Sequence, residues 1–153
     1  MQTKLKLITL YAVLKEASKI GGAKFRYAVL KNLKSIDSEI ESLKTIEKDI
    51  EEIIKDFNEA KNIIIMEHGT PDEKGIHVVK PGDENFELVN KKIKDLVKTH
   101  ETSLDLYRLK REEYEKLLKE DAEFDFNLFE INIDNIPDEL KDLEILMDFE
   151  IVK

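Results

Sequence analysis

The residue types that do chemistry are plentiful here only as acids and bases, and their spacing decides what each can do. The 153 residues include 34 acids, 25 Lys or Arg and three His, with no Cys and no Trp. Without Cys there is neither a thiolate nucleophile nor a disulfide framework. Two histidines, His68 and His77, flank Asp72 and Glu73 in a turn-rich stretch. Those are donor types for a transition metal. Their spacing matches no established ligand pattern, however, and exposed His and Asp are ordinary turn residues, so no metal is expected there. His100 and Arg111 fall on or near an apolar helical seam. They read either as groups exposed where a helix pair splays or as a polar pocket that fixes the register of the pair. Gly21-Gly22 lacks the context of a phosphate loop or a dinucleotide fingerprint. With 34 acids, neighbouring carboxylates are inevitable, and their pairing says nothing about acid–base catalysis. No catalytic residue and no cofactor are assigned, and the expectation is a non-catalytic protein.

The elements that position these residues are mainly helical, with a minor β component. In the first arm, residues 24–67, apolar residues recur at Leu33, Ile36, Ile40, Leu43, Ile46, Ile50, Ile53, Phe57, Ala60 and Ile64. This is a heptad seam with one irregular step at Leu43–Ile46, a stammer that overwinds a helix pair. Charged residues such as Glu47, Glu51 and Lys55 keep the other faces wet. A continuous helix over this arm is about 66 Å long. A stripe that long needs another helix to cover it. The second arm, residues 84–119, supplies one, with Phe86, Val89, Ile93, Leu96, His100, Leu104, Tyr107, Tyr114 and Leu118 at helical spacing and Asp83 placed as its cap. Gly69 and Pro71 stop the first arm. Between the arms, residues 69–83 read as turns around a short strand, Ile76–Val79. The predicted architecture is one domain: a long antiparallel two-helix coiled-coil hairpin with a small β-excursion at its tip.

At the base of the hairpin, residues 1–22 read as a short helix stopped by Gly21-Gly22, with a few extended residues at Lys4–Leu7. Residues 124–152 read as β–α–β. Phe124, Phe126, Phe129, Ile131 and Ile133 alternate with polar residues as a bulged strand. A helix capped by Asn135 follows through Leu146, and Met147–Ile151 is a second strand. Such a long apolar strand, with few partners in its own chain, predicts a homo-oligomer, a dimer or higher. Those five residues are the expected interface. Apolar residues off the seam at Val29–Leu30, Ile53–Ile54 and Ile63–Met66 point the same way.

Charge is unevenly placed. Residues 1–34 carry a net +7 and the remainder −16, within a total of −9. A hairpin brings the basic start to the acidic end, so mutual neutralisation is expected. Nucleic-acid binding is not, because aromatic interleaving and overall positive charge are missing. No apolar run approaches the ~20 residues of a membrane span, and no signal peptide is read in Leu5–Leu14. The expected location is the cytoplasm.

The order of parts resembles a loose family of small, uncharacterised bacteriophage proteins. The likeness is carried by Gly21-Gly22, by the aromatic-bearing stretch Phe25-Arg-Tyr-Ala-Val-Leu30-Lys-Asn-Leu33 and by the acidic turn Asp72-Glu-Lys-Gly75. It continues in Phe86, Glu130-Ile-Asn-Ile133 and Ile136-Pro-Asp-Glu-Leu140. A weaker likeness is to prefoldin subunits, which also carry two long antiparallel helices joined by β-structure. The resemblance implies a phage protein in a host cytoplasm or a virion, and it supplies no catalytic residue. Three functions are compatible with it. One is a self-assembling adaptor or virion-assembly component that binds a phage or host protein. Another is an anti-defence protein that blocks a host factor or sequesters a small nucleotide. The third is a prefoldin-like holdase.

Overall fold

The structure, a computed structural model, describes residues 2–122 and 127–153. Among the described residues there are six α-helices: α1 (Lys4–Ala17), α2 (Ala23–Glu52), α3 (Lys55–His68), α4 (Phe86–Thr99), α5 (Glu101–Lys119) and α6 (Leu143–Asp148). Two short strands, β1 (Thr70–Pro71) and β2 (His77–Val78), pair antiparallel. The fold is mainly α, as the periodicity requires. No helix among the described residues is long and apolar enough to cross a membrane. Contacts divide the chain into two units, Met1–Ile46 with Glu113–Lys153, and Glu47–Glu112.

In the first unit, Thr3 caps α1 by accepting from the Lys6 N–H at 3.3 Å. Lys4–Leu7 is therefore helical rather than extended. The extended residue is Thr3, which bridges Asp121. Leu7, Leu10, Leu14 and Ala17 form the buried stripe of α1. They meet Phe25, Ala28, Val29, Ile36 and Ile40 of α2, with Ile131, Ile145, Leu146 and Ile151 closing the core. Burying such side chains stabilises by roughly 1.5–3 kcal/mol each. The basic start does meet acidic residues of the end: Lys6 pairs with Asp148 at 2.7 Å and Lys4 with Glu120 at 3.5 Å.

The C-terminal β–α–β expectation is corrected to something much smaller. Phe124 and Phe126 lie outside the described residues. Residues 127–130 form no strand. Ile131 makes a single parallel bridge to Val152, accepting from the Lys153 N–H at 3.3 Å and donating to the Ile151 carbonyl at 2.7 Å. The backbone of Phe129 is satisfied differently. The fully buried Asn32 side chain donates to its carbonyl at 2.9 Å and accepts from its N–H. A side-chain amide on α2 thus takes the place of a neighbouring strand. The helix expected from Asn135 is also displaced. Asn132 caps a 3₁₀ turn at Ile133–Asn135, and α6 begins only at Leu143, after Asp142 at φ 61°. Met147–Ile151 is not a strand, because its first two residues belong to α6 and Glu150 turns back at φ 54°.

The second unit holds the end of α2, α3, β1, β2, α4 and the start of α5. Here α3 packs on α4. The arms are not continuous helices. Ile53 and Ile54 donate three residues back, to Ile50 and Glu51, which tightens one turn between α2 and α3. His100 interrupts the second arm at φ −105°, next to Thr99, whose hydroxyl bonds the Asp95 carbonyl at 3.1 Å. Such back-bonding bends helices. Gly69 does end α3, but in extended conformation at φ −84°. A Cβ there would lie 2.5 Å from the Ile65 carbonyl oxygen and 3.0 Å from that of Val78. Glycine is needed for close approach, not for a left-handed turn. Asp83 caps the turn before α4, accepting from the Lys80 N–H at 2.7 Å, and Asn85 precedes the helix.

The buried stripe of the first arm runs Ile36, Ile40, Leu43, Ile50, Ile54, Phe57. With Glu47 between Leu43 and Ile50, its steps are an unbroken 4-3-4-3-4-3. Ile46, 40% exposed, is off it. Ile53 is only partly buried and yields its place to Ile54. The expected stammer is avoided by accepting a glutamate at a seam position.

Candidate functional site

Three places gather the residues singled out by the sequence. The most developed is a groove in the first unit. One wall is the first turns of α2, with Ala23, Lys24, Phe25, Tyr27 and Ala28; the other is Phe129–Asn132 with Asn135. It encloses about 550 Å³. Gly21 sets the entry of α2, at φ 79°, with its Cα so close to Phe25 and Pro137 that a Cβ would sit 2.8 Å from the Phe25 ring and 3.1 Å from Pro137. Asn32, two turns on, holds the opposite wall through Phe129. The Tyr27 and Phe129 rings meet edge to face, with centroids 5.8 Å apart, a favourable arrangement of their quadrupoles. Both rings remain about half exposed, as do Leu30 and Ile133 nearby in sequence. Lys31 reaches over the Tyr27 ring at 5.6 Å. Glu130 is paired with Lys153 at 3.4 Å.

The expected interface residues therefore divide. Phe129 and Ile133 are on the surface, whereas Ile131 is 1% exposed and belongs to the core. Its bridge to Val152 draws it inward, and the 3₁₀ turn at Ile133 breaks the alternation that would have kept all three on one face. Val29, expected on an open second stripe, is also buried, while Leu30, Ile63 and Met66 are exposed. Sequence reasoning missed Tyr27 and Asn32. Asn32 was findable, because it lies on the 3.6-residue repeat of Phe25, Val29, Ile36 and Ile40.

The second place is the seam of the second unit. Arg111 lies 3.5 Å from Glu47 and 3.8 Å from Glu51, and the Tyr107 hydroxyl donates to Glu51 at 3.1 Å. His100 is elsewhere, edge-on to Phe57 at 5.9 Å. Arg111 lies eleven residues on from His100, about 16 Å along a helical axis, so they do not form one pocket. The other predicted seam residues of this arm, Phe86, Ile93, Leu96, Leu104 and Tyr107, are partly buried, and Val89 is fully so. The arrangement is a polar layer that can align two helices. Partly exposed ion pairs of this kind contribute roughly 0.2–1 kcal/mol each.

The third place is the tip. Asp72 accepts from the Lys74 and Ile76 N–H groups at 2.8 and 2.9 Å, shaping the turn between β1 and β2. His68 lies 3.2 Å from the Lys92 ammonium, and His77 sits in β2 opposite Pro71. Among the described residues no three His, Asp or Glu side chains come together as a metal site would need. Comparison of the chain with protein-family models, curated proteins and solved structures gives no match.

Proposed function

We propose that this chain is a non-catalytic, phage-type helical-hairpin protein that self-assembles and works by binding a partner protein, as an adaptor or virion-assembly component. One observation carries the reading: a groove with a half-exposed aromatic edge-to-face pair, Tyr27 and Phe129, with Leu30 and Ile133, also exposed, close to them in sequence. Exposed aromatic residues around an apolar hollow are the composition of interface centres. An open strand edge is not its basis, since Asn32 and the bridge to Val152 satisfy the backbone of Phe129 and Ile131 within the chain. Pairing of Lys4 and Lys6 with acids of the same chain supports neutralisation over a basic patch for phosphates. The phage character rests on the sequence resemblance alone.

The reading is tested by sedimentation velocity on the wild type and Phe129→Asp. Self-assembly through the groove predicts that the variant stays folded, by circular dichroism, and sediments as a smaller species. A variant that sediments like the wild-type oligomer overturns the assignment of the groove.

A further inference from the structure

The two walls of the groove carry opposite charge. The α2 wall presents Lys24, and Lys31 and Lys34 continue α2 one and two turns beyond Tyr27, all exposed. None of these lysines forms an ion pair with a described residue, and Lys31 lies over the Tyr27 ring. The facing segment presents Glu130, with Asp134 in the turn that follows. Glu130 reaches Lys153 at 3.4 Å, but both side chains are more than half exposed, so the carboxylate is open to a second cation.

A surface with one basic and one acidic half has a specific preference in partner. A uniformly acidic segment would be repelled by Glu130 and Asp134, and a uniformly basic one by the lysines. A second copy turned through 180° places each basic wall on the other's acidic wall, and sets both Tyr27–Phe129 pairs at the centre. This is the self-complementarity that an isologous two-fold interface requires. We infer that the groove is occupied by the same groove of a second copy, with Lys24 of each protomer facing Glu130 of its mate around a shared Tyr27–Phe129 core. The inference rests on the self-assembly reading above and adds the partner's orientation and charge register.

Charge reversal tests it. Lys24→Glu and Glu130→Lys are surface changes that should leave the circular dichroism spectrum in place, while the thermal midpoint falls only as far as weaker dimerisation lowers it. The contact occurs twice in a two-fold dimer, so each single reversal should weaken dimerisation roughly tenfold, and the double variant should return to within about threefold of wild type. Added salt should weaken the wild type and the double variant alike. Dimer dissociation is read by dilution in analytical ultracentrifugation. A wild-type dimer that neither reversal weakens, or that the double variant fails to restore, overturns the groove-to-groove pairing while leaving self-assembly standing. A wild type that is monomeric throughout overturns both. Displacement of the dimer by an acidic peptide of mixed Glu and Leu, with no effect of Glu130→Lys, would show instead that the site takes an acidic segment.

Discussion

Replacing Asn32 by Ala should destabilise the first unit by about 2–5 kcal/mol. The side chain is fully buried and makes two hydrogen bonds to one residue, Phe129, 97 positions away. Its loss leaves a backbone N–H and a carbonyl without partners in a partly buried place, at about 1–3 kcal/mol each, less whatever water recovers. That is a large share of the 5–15 kcal/mol typical of a domain. Asn32→Asp separates the two bonds. The carboxylate still accepts from the Phe129 N–H, but it opposes the Phe129 carbonyl and buries a charge, so the loss at neutral pH should equal or exceed that of Ala. Burial raises the folded-state pKa of such a carboxyl above its unfolded value near ~3.9. The folded state then takes up the proton first, and the protonated group can donate to the carbonyl. The penalty should therefore shrink as pH falls through that raised pKa, whereas the Ala penalty should not follow it. Urea titration followed by circular dichroism, at neutral pH and near pH 4.5, measures both. An Asn32→Ala variant within 0.5 kcal/mol of wild type would refute the view that this amide anchors the wall of the groove.

Two further outcomes follow from the packing. Ile50→Asp and Ile54→Asp should each cost more than about 3 kcal/mol, because both residues are buried, while Ile46→Asp, at an exposed position, should cost less than about 1 kcal/mol; equal thermal midpoints for Ile46→Asp and Ile50→Asp would refute the seam. Gly21→Ala should lower stability by about 1–3 kcal/mol, since a Cβ meets the Phe25 ring in a left-handed backbone, whereas Gly22→Ala, with nothing within 4 Å, serves as the neutral comparison in the same thermal melts.

Much of the helical architecture was legible because long amphipathic helices write their period plainly. Ile36, Ile40, Leu43, Ile50 and Phe57 were found from spacing alone and are all buried. The reading failed where apolar residues sit one position from the true seam. Ile46 and Ile53 were preferred to Glu47 and Ile54 because a glutamate on a seam looks wrong until Arg111 is seen opposite it. The helix interruptions at Ile53–Ile54 and His100 carry no Gly or Pro signal. The last thirty residues were misread for a related reason. Alternation at Phe129, Ile131 and Ile133 is a strand signal only if another strand takes the backbone hydrogen bonds, and here a buried asparagine nearly a hundred residues earlier takes those of Phe129. Of the groove, Phe129 and Ile131 were visible in the sequence. Tyr27 was not, because on a helix already rich in apolar residues nothing local marks which aromatic stays outside.

Light scattering coupled to gel filtration, on the wild-type chain at tens of micromolar, measures self-assembly without any substitution. A self-assembling chain gives a mass of about twice the 17.9 kDa of one chain, or a higher multiple of it. A mass equal to the single chain across that concentration range would contradict self-assembly.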